Sequence, residues 1–239
     1  MEHMDKSLDA VLKELQGKRA ATGPKSPSTD QDGNDPEKHK EWLRQRGIAE
    51  RYIDVTMEAI EEKGLPEHNE SIKKNWWKVR RYVLHLPEHI KAGNGLILAG
   101  GFGTMKTTMA VAVLRHYLDA GGRGMMIPMC SLIDKLYTLR ARDMAEAMGF
   151  EDRIRTTRLL VIDDLGTENN QQAWIMSKVD SIISDRHDGR LPTIITTNYN
   201  DGDLVQTYGG RLLDRLKNNS FYLPFFGRSE RKPLDINDI

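Results

Sequence analysis

Apolar runs and amphipathic stretches alternate along the chain after Gly95. The runs GLILAG, GMMIPM, LLVIDD and PTIITTN are mostly apolar, and the stretches TTMAVAVLRHYLDA, SLIDKLYTLR, QAWIMSKVDSIISDRHD and GGRLLDRL have the spacing of helices. Nearly continuous apolar strands are typical of a parallel sheet that is covered on both faces. The alternation therefore predicts an α/β domain whose parallel sheet is flanked by helices.

Residues 1–35 follow a different pattern, which predicts a short amphipathic helix and a flexible linker. Within residues 5–17 the apolar side chains share one helical face, namely Leu8, Val11, Leu12 and Leu15. The following RAATGPKSPSTDQDGNDPE has almost no large apolar residue, and we set a boundary near Asp35. A tethered helix of this kind is either a solvated tail or an element that docks in a partner's groove.

The pattern of residues 36–70 predicts a small helical N-terminal region, with EKHKEWLRQR and ERYIDVTMEAIEEK as its helices and Gly47 and Gly64 as breaks. The next segment, SIKKNWWKVRRYVLHLPEHI, is the most basic of the chain and interleaves aromatic with basic residues. Such a segment can stack bases and hold phosphates. It also suits a helix packed on a sheet, which is the interpretation we favour.

Composition narrows the class of protein without naming a partner. The 239 residues suit one α/β domain with a short appendage. The 35 basic and 35 acidic side chains give zero formal charge. A local basic face would still be compatible with nucleic-acid binding. The single cysteine, Cys130, excludes an intramolecular disulfide, and no Cys/His set has zinc spacing. Without an apolar signal or a run of membrane-spanning length, we expect a cytoplasmic protein with no membrane partner.

The strand LILAG runs through GGFGTMKTT into a predicted helix, which is the context of a Walker A phosphate loop. In such a loop backbone N–H groups hold the phosphates, Lys106 neutralises the β and γ oxygens, and Thr107 holds Mg²⁺. The predicted cofactor-binding residues of the loop are Gly100, Gly101, Phe102, Gly103, Thr104, Met105, Lys106, Thr107 and Thr108.

Met105 departs from the Walker A pattern, which has glycine immediately before the lysine. Glycine lets the backbone approach phosphate without a Cβ atom, so methionine there is expected to distort the loop or weaken the affinity. The alternative interpretation is a tight strand-to-helix turn that happens to contain a lysine.

Two further strands end in polar side chains. RLLVIDDLGTE has the form of a Walker B segment, in which Asp163 orders Mg²⁺ and Asp164 polarises the attacking water. LPTIITTN ends at Asn198, whose amide can orient that water against the γ-phosphate. In the alternative interpretation the two acids merely end the strand and cap a helix. Carboxylates on the buried side of a strand, however, require a compensating cation.

The segment YGGRLLDRLKNN places Arg211 and Arg215 four residues apart on one face of a predicted helix. Such an arginine can reach the ATP of a neighbouring subunit, and we assign this arginine finger to Arg211. The alternative is a surface helix in which Asp214 lies beside the arginines.

Taken together, GGFGTMKTT, LLVIDDLGTE, PTIITTNYNDGDL, GGRLLDRL and FYLPFFGRSERK resemble the DnaC/DnaI/IstB group of AAA+ ATPases over roughly residues 70–232. The resemblance implies a P-loop NTPase (AAA+) domain at residues 71–239, with Asn198 as sensor 1 and Arg228 or Arg231 as a late sensor arginine. Among its members the replicative helicase loaders match best. The resemblance then implies an ATPase that uses ATP and Mg²⁺, binds a DnaB-type hexameric helicase through its N-terminal region, assembles on it, and helps to deliver it to single-stranded DNA during replication initiation.

Two other functions remain open from the sequence. A transposase-helper ATPase of the IstB kind would bind duplex DNA and a transposase. A non-hydrolysing adaptor, in which Met105 has disabled the phosphate loop, would serve only to hold partners.

Overall fold

A computed structural model describes residues 35–166 and 173–231 of the chain. The amphipathic helix and linker predicted before Asp35 lie outside these residues. The α-helices are α1 (Pro36–Gln45), α2 (Met57–Lys63), α3 (Glu70–Leu84), α4 (Leu86–Ala92), α5 (Lys106–Asp119), α6 (Met129–Arg142), α7 (Met144–Thr156), α8 (Ala173–Asp188), α9 (Asp201–Tyr208) and α10 (Gly210–Asn218). The strands are β1 (Gly95–Gly100), β2 (Gly124–Pro128), β3 (Leu159–Leu165), β4 (Thr193–Thr197) and β5 (Ser220–Phe225).

The strands form one five-stranded sheet in the order β2-β3-β4-β1-β5. Every neighbouring pair is parallel, as expected for strands joined by crossover helices. Strands β1, β4 and β3 are adjacent at the centre, so the segments that follow them meet at one edge of the sheet. This confirms the predicted α/β fold and brings the candidate site residues to a single place.

Each face of the sheet carries its own hydrophobic cluster. One cluster contains Leu96, Leu98, Val161 and Ile194 of the strands together with the buried side of α5. The opposite cluster contains Ile97, Leu160, Ile162 and Ile195 and is covered by helices α6 to α10. Alternate residues of each strand thus point into different layers, which explains why the strand sequences are apolar without alternation.

The helices before the sheet belong to the first of these clusters. Leu43, Ile53, Met57 and Ile60 are buried together with residues of α5 such as Met109. A short 3-10 helix at Glu50–Tyr52 joins α1 to the Thr56 cap of α2, so the predicted helix over residues 50–63 is divided in two. The domain boundary at residue 70 stays a prediction.

The basic segment forms two helices, since α3 ends at Leu84 and α4 begins at Leu86 with a proline in its first turn. Trp76, Val79 and Leu86 are buried in the cluster, which confirms the packing interpretation. Asn75 of α3 also donates to the carbonyl of Pro224 at 2.7 Å. Helix α3 therefore holds the edge strand β5 against the sheet.

Three elements are absent from the pattern-based prediction: α7, α9 and β5. Strand β5 contains Pro224, and proline argues against a strand unless that strand lies at a sheet edge, where β5 does lie. Helix α9 begins with a capping box between Asn200 and Asp203, which is a helix-start signal in the sequence itself. No helix within the two described ranges has the length and apolar character needed to cross a membrane.

Candidate nucleotide-binding site

The phosphate loop joins the last residue of β1 to the first residue of α5. Lys106 is buried, and its ammonium donates to the carbonyl oxygens of Gly100 at 2.7 Å and Gly101 at 2.6 Å. It also donates to Oδ1 of Asn198 at 3.0 Å. The loop carbonyls and the amide of Asn198, which follows β4, thus form a polar cradle for the lysine at the end of the sheet.

The pKa of Lys106 is lowered to about 8, mainly by burial and to a smaller extent by the nearby charge of Arg231. The negative charges of Asp164 and Asp163 oppose this shift. Because the ammonium is desolvated, a bound polyanion would be a strong partner for it. This is the electrostatic arrangement that a phosphate site requires.

Met105 has φ 67° and ψ 12°, in the left-handed region, directly before α5. For a residue with a side chain this conformation is unfavourable by roughly 1–2 kcal/mol, whereas glycine adopts it freely. The loop therefore keeps the backbone geometry for which the Walker A pattern selects glycine. The strain is maintained by the surroundings, since the Met105 side chain is partly buried against the cluster of α5.

Asp163 is the last of five consecutive buried residues in β3. Its Oδ1 accepts hydrogen bonds from the hydroxyl of Thr107 at 2.9 Å and from the hydroxyl of Thr196 at 2.6 Å. Burial raises the pKa of the Asp163 carboxyl, as does the charge of Asp164, while the bonds from Thr196 and Thr107 lower it. A buried carboxylate in this setting favours a nearby cation.

The Thr107 hydroxyl and the Asp163 carboxylate are hard oxygen ligands of the kind that Mg²⁺ prefers. No group of three or more His, Cys, Asp or Glu side chains within residues 35–166 and 173–231 could hold a metal ion. Two such ligands fit a magnesium ion that would take its remaining ligands from water and from nucleotide phosphates.

Asp164 lies at a bulge, where the pairing between β3 and β4 shifts between Ile162 and Leu165. Its φ of 55° is left-handed, a conformation that aspartate tolerates better than most residues. The Asp164 N–H donates to Thr196 Oγ1 at 2.9 Å, so this one hydroxyl positions both acids. Thr196 is a site residue that sequence reasoning missed.

A cavity of about 890 Å³ lies over these groups. Its lining includes Asp164, Asn198 and most of the predicted loop residues, namely Phe102, Gly103, Thr104, Met105, Lys106, Thr107 and Thr108. Gly100 and Gly101 contribute their carbonyls to the lysine cradle instead. The volume is within the range of small-molecule and cofactor sites.

Another part of the cavity lining comes from the N-terminal helices and the loop after them, which sequence reasoning did not assign to the site. It contains the polar residues Arg51, Asp54, Lys63 and His68 and the apolar residues Tyr52, Val55, Ala59, Ile60, Leu65 and Pro66, together with Gly64. An apolar wall facing a phosphate loop gives the cavity one side suited to a base and one suited to phosphates.

The segment after β5 crosses the phosphate loop. The Glu230 N–H donates to the carbonyl of Gly103 at 3.0 Å, and Asn69 Nδ2 donates to Glu230 Oε1 at 3.1 Å. Arg231 lines the cavity, whereas Arg228 is exposed and does not. Of the two late arginines, only Arg231 is brought to the candidate site.

The two arginines of α10 differ in their partners. Arg215 forms an ion pair with Asp180 at 2.8 Å, whereas Arg211 is exposed and has no hydrogen bond or ion pair to any residue in the described part of the chain. Neither lines the cavity of its own chain. Of these two arginines, Arg211 is therefore the one whose guanidinium is not bound to another residue in the described part of the chain.

A parallel sheet in the order β2-β3-β4-β1-β5, with a phosphate loop after β1, two acids at the end of β3 and an amide after β4, defines a P-loop NTPase domain of the AAA+ class. The chain belongs to the family of IstB-like ATP binding proteins, whose model matches residues 80–235. ATP is accordingly the nucleotide that the family binds.

Comparison with individual proteins points in the same direction. Over 152 residues the chain is 28% identical to the replicative helicase loader DnaC of Escherichia coli strain K12, a match that covers 62% of this chain and 59% of that protein. The crystal structure of the DnaC helicase loader matches with a TM-score of 0.66 at 27% identity, over 74% of this chain and 100% of the other. The crystal structure of DnaI matches in fold, with a TM-score of 0.60 at 18% identity over 77% and 94% of the two chains. The matched region thus spans less than two thirds of the full-length relative.

Proposed function

We propose that the protein is an ATP-dependent loader of the replicative DNA helicase. The observation that carries this proposal is the match to the DnaC loader along the whole length of its solved chain, combined with a site that keeps Lys106, Thr107, Asp163 and Asn198 together. A likeness limited to the fold would not distinguish a loader from other P-loop proteins.

In the proposed reaction the protein hydrolyses ATP. Lys106 neutralises the β and γ phosphates, Asp164 polarises the attacking water, and Asn198 orients it. Thr107 and Asp163 hold Mg²⁺, which supplies charge neutralisation of the phosphate oxygens when bound. The remaining loop residues, from Gly100 to Thr108, hold the phosphates through backbone N–H groups.

The arginines outside the phosphate loop complete the proposal. Arg211 acts on the ATP of a neighbouring copy, which makes self-assembly on the helicase a part of the function. Arg231 serves as the late sensor arginine because it lines the cavity, in preference to Arg228.

The partners of the proposed loader are a DnaB-type hexameric helicase and single-stranded DNA. The helicase binds the region before residue 71, and ATP controls the assembly. The basic face of α3, where Lys74, Lys78 and Arg81 are exposed, is compatible with contact to nucleic-acid phosphates.

The decisive experiment is size-exclusion chromatography of the full chain with the replicative helicase of its host, with ATP and Mg²⁺, with ADP, and without nucleotide. We expect co-elution that depends on ATP and is lost in the Lys106→Ala variant. A helicase that elutes alone under all three conditions would exclude the loader function.

A second candidate function is that of a transposase helper, and it is favoured by the match to the IstB-like family model. A helper would prefer duplex DNA, whereas a loader would prefer single strands. Fluorescence anisotropy with matched single-stranded and duplex oligonucleotides, in the presence of ATP and Mg²⁺, distinguishes the two.

A further inference from the structure

The 3-10 helix Glu50–Tyr52 places Arg51 in the lining of the nucleotide cavity. Arg51 precedes residues 80–235, so it lies outside the part of the chain that the family model matches. It nevertheless lines the same cavity as Lys106, Asp164 and Asn198. The N-terminal region therefore contributes a cation to the candidate site.

The main chain around Arg51 is held on both sides. The Glu50 carboxylate accepts from Nε of Arg44 at 2.7 Å and from Nη2 of Arg44 at 3.0 Å, which ties the segment to α1. On the other side, the carbonyl of buried Ile53 accepts from NH1 of Arg115 at 2.6 Å, which ties the segment to α5. Arg51 is thus presented by a segment that bridges α1 and the phosphate-loop helix.

The guanidinium of Arg51 lies 4.7 Å from the ring centroid of Tyr52. It makes no hydrogen bond or ion pair with any residue in the described ranges, although Asp54 and Asp164 line the same cavity. Stacking on an aromatic ring orients a guanidinium and leaves its N–H donors available. Those donors form the planar fork that matches two oxygens of a phosphate group.

Arg51 shares the cavity lining with Thr107, Asp164 and Asn198. Those three residues mark the end of a P-loop site at which the terminal phosphates lie. A guanidinium is matched by the oxygens of a phosphate group. A phosphate at that end is therefore the part of the nucleotide that suits Arg51.

We propose that Arg51 binds the terminal phosphate of the nucleoside triphosphate held by its own chain, and that the N-terminal region thereby distinguishes ATP from ADP. The inference rests on the proposed function in one respect, namely that the cavity binds ATP. It extends that function by giving the region before residue 71 a direct contact with the nucleotide. Arg51 is connected to α1 through the contact between Glu50 and Arg44. The difference between bound ATP and bound ADP is transmitted to α1 by that connection.

Isothermal titration calorimetry of the full chain with Mg²⁺ tests this, using ADP and a non-hydrolysable ATP analogue as probes. The Arg51→Gln variant is expected to lose at least about tenfold in affinity for the analogue, since a charge-assisted bidentate contact is removed. Its affinity for ADP is expected to change by less than about threefold, because ADP lacks the phosphate concerned. Arg51→Lys keeps the charge without the fork and should lie between the two.

The matched control is Arg46→Gln, which removes an arginine from the same region. Arg46 packs on the ring of Trp42 at 3.8 Å and does not line the cavity, so both affinities should stay at the wild-type level. Thermal melting without nucleotide verifies that the variants fold.

Two results would overturn the inference, and they are distinct. If Arg51→Gln weakens the binding of ADP and of the analogue equally, or changes neither affinity, Arg51 does not bind the terminal phosphate. The proposed function is unaffected by that result. If the wild-type chain binds neither nucleotide, the proposed function fails and the inference fails with it.

Discussion

The hydroxyl of Thr196 donates a 2.6 Å hydrogen bond to the carboxylate of Asp163. The same oxygen accepts the backbone N–H of Asp164 at 2.9 Å. Strand β4 thus fixes both acids of β3 through one fully buried side chain. The relationship makes Thr196 a positioning residue for the candidate site.

Replacing Thr196 by valine keeps the shape of the side chain and removes both hydrogen bonds. The buried Asp163 carboxylate would then keep the bond from Thr107 but lose the one from Thr196, and the Asp164 N–H would lose its bond to Thr196, so we expect the free energy of unfolding to fall by about 1–3 kcal/mol. ATP hydrolysis should fall as well, since Asp164 loses its anchor. Urea denaturation and an ATPase assay measure the two effects, and Thr196→Ser should restore both. Wild-type behaviour of Thr196→Val would contradict the positioning role.

The strained backbone of Met105 predicts a gain from glycine. Met105→Gly should tighten ATP binding by at most about 30-fold, because the strain that it removes is about 1–2 kcal/mol. Met105→Ala is the control, since it keeps the Cβ atom and the strain. Calorimetry with ATP and Mg²⁺ measures both. A gain of more than about 100-fold would instead indicate that methionine has disabled the loop, as expected for an adaptor.

Asp164→Asn separates binding from hydrolysis. Asparagine tolerates the left-handed conformation at φ 55°, so the fold of the bulge should persist. Loss of the polarising carboxylate should lower the hydrolysis rate by at least about 100-fold and change the ATP affinity by only a few-fold. Single-turnover hydrolysis and equilibrium binding test the two parts. A variant that hydrolyses ATP at the wild-type rate would remove Asp164 from the mechanism.

The lowered pKa of Lys106, about 8, predicts a pH dependence of nucleotide binding. Only the ammonium form binds phosphate strongly, and the bound polyanion raises the pKa again, so binding takes up a proton at alkaline pH. Affinity should therefore fall as pH rises through 8, by about tenfold between about pH 7 and about pH 9. Titration with a fluorescent ATP analogue measures the trend. Lys106→Arg stays charged and should give a flat profile, and a flat wild-type profile would contradict the prediction.

Arg186 predicts a large loss of stability on substitution. It is fully buried at the end of α8 and donates to the hydroxyl of Thr193 and to the carbonyls of Ile154, Arg155, Thr157 and Pro192. Burial lowers its pKa to about 9, which leaves it charged at neutral pH. Arg186→Ala would leave buried acceptors and a cavity, so we expect a loss of at least about 3 kcal/mol.

Chemical denaturation measures the effect of Arg186→Ala. Arg153→Ala on the exposed side of α7 is the control, with an expected change within about 0.5 kcal/mol. A similar midpoint for the two variants would show that the hydrogen bonds of Arg186 add little to stability.

The meeting of Lys106, Asp163 and Asn198 could be predicted from sequence alone. Each follows or ends an apolar strand, and the carboxyl ends of neighbouring parallel strands lie at one edge of a sheet. That argument needs only the order of the elements and no detail of register. The left-handed conformation at position 105 could also be predicted from the sequence, because the Walker A pattern requires glycine there.

Other parts of the site depend on information that the pattern does not contain. A threonine within TIITT is what strand propensity alone would select, and the double role of Thr196 follows from the bulge at Asp164. Arg186 lies in the polar segment SDRHD, which resembles an exposed helix end. Arg51 reaches the cavity because residues 36–63 fold back over α5, a contact between parts of the chain more than 40 residues apart.

The shared core of the N-terminal helices and α5 determines where this protein can be recombined with its relatives. Leu43, Ile53 and Met57 are buried against the phosphate-loop helix, so a chimera joined at residue 70 would pair two halves of different cores. A junction before Pro36 leaves those contacts intact. Exchange of partner specificity among related proteins is therefore expected to take place upstream of α1, with residues 36–63 inherited together with the ATPase domain.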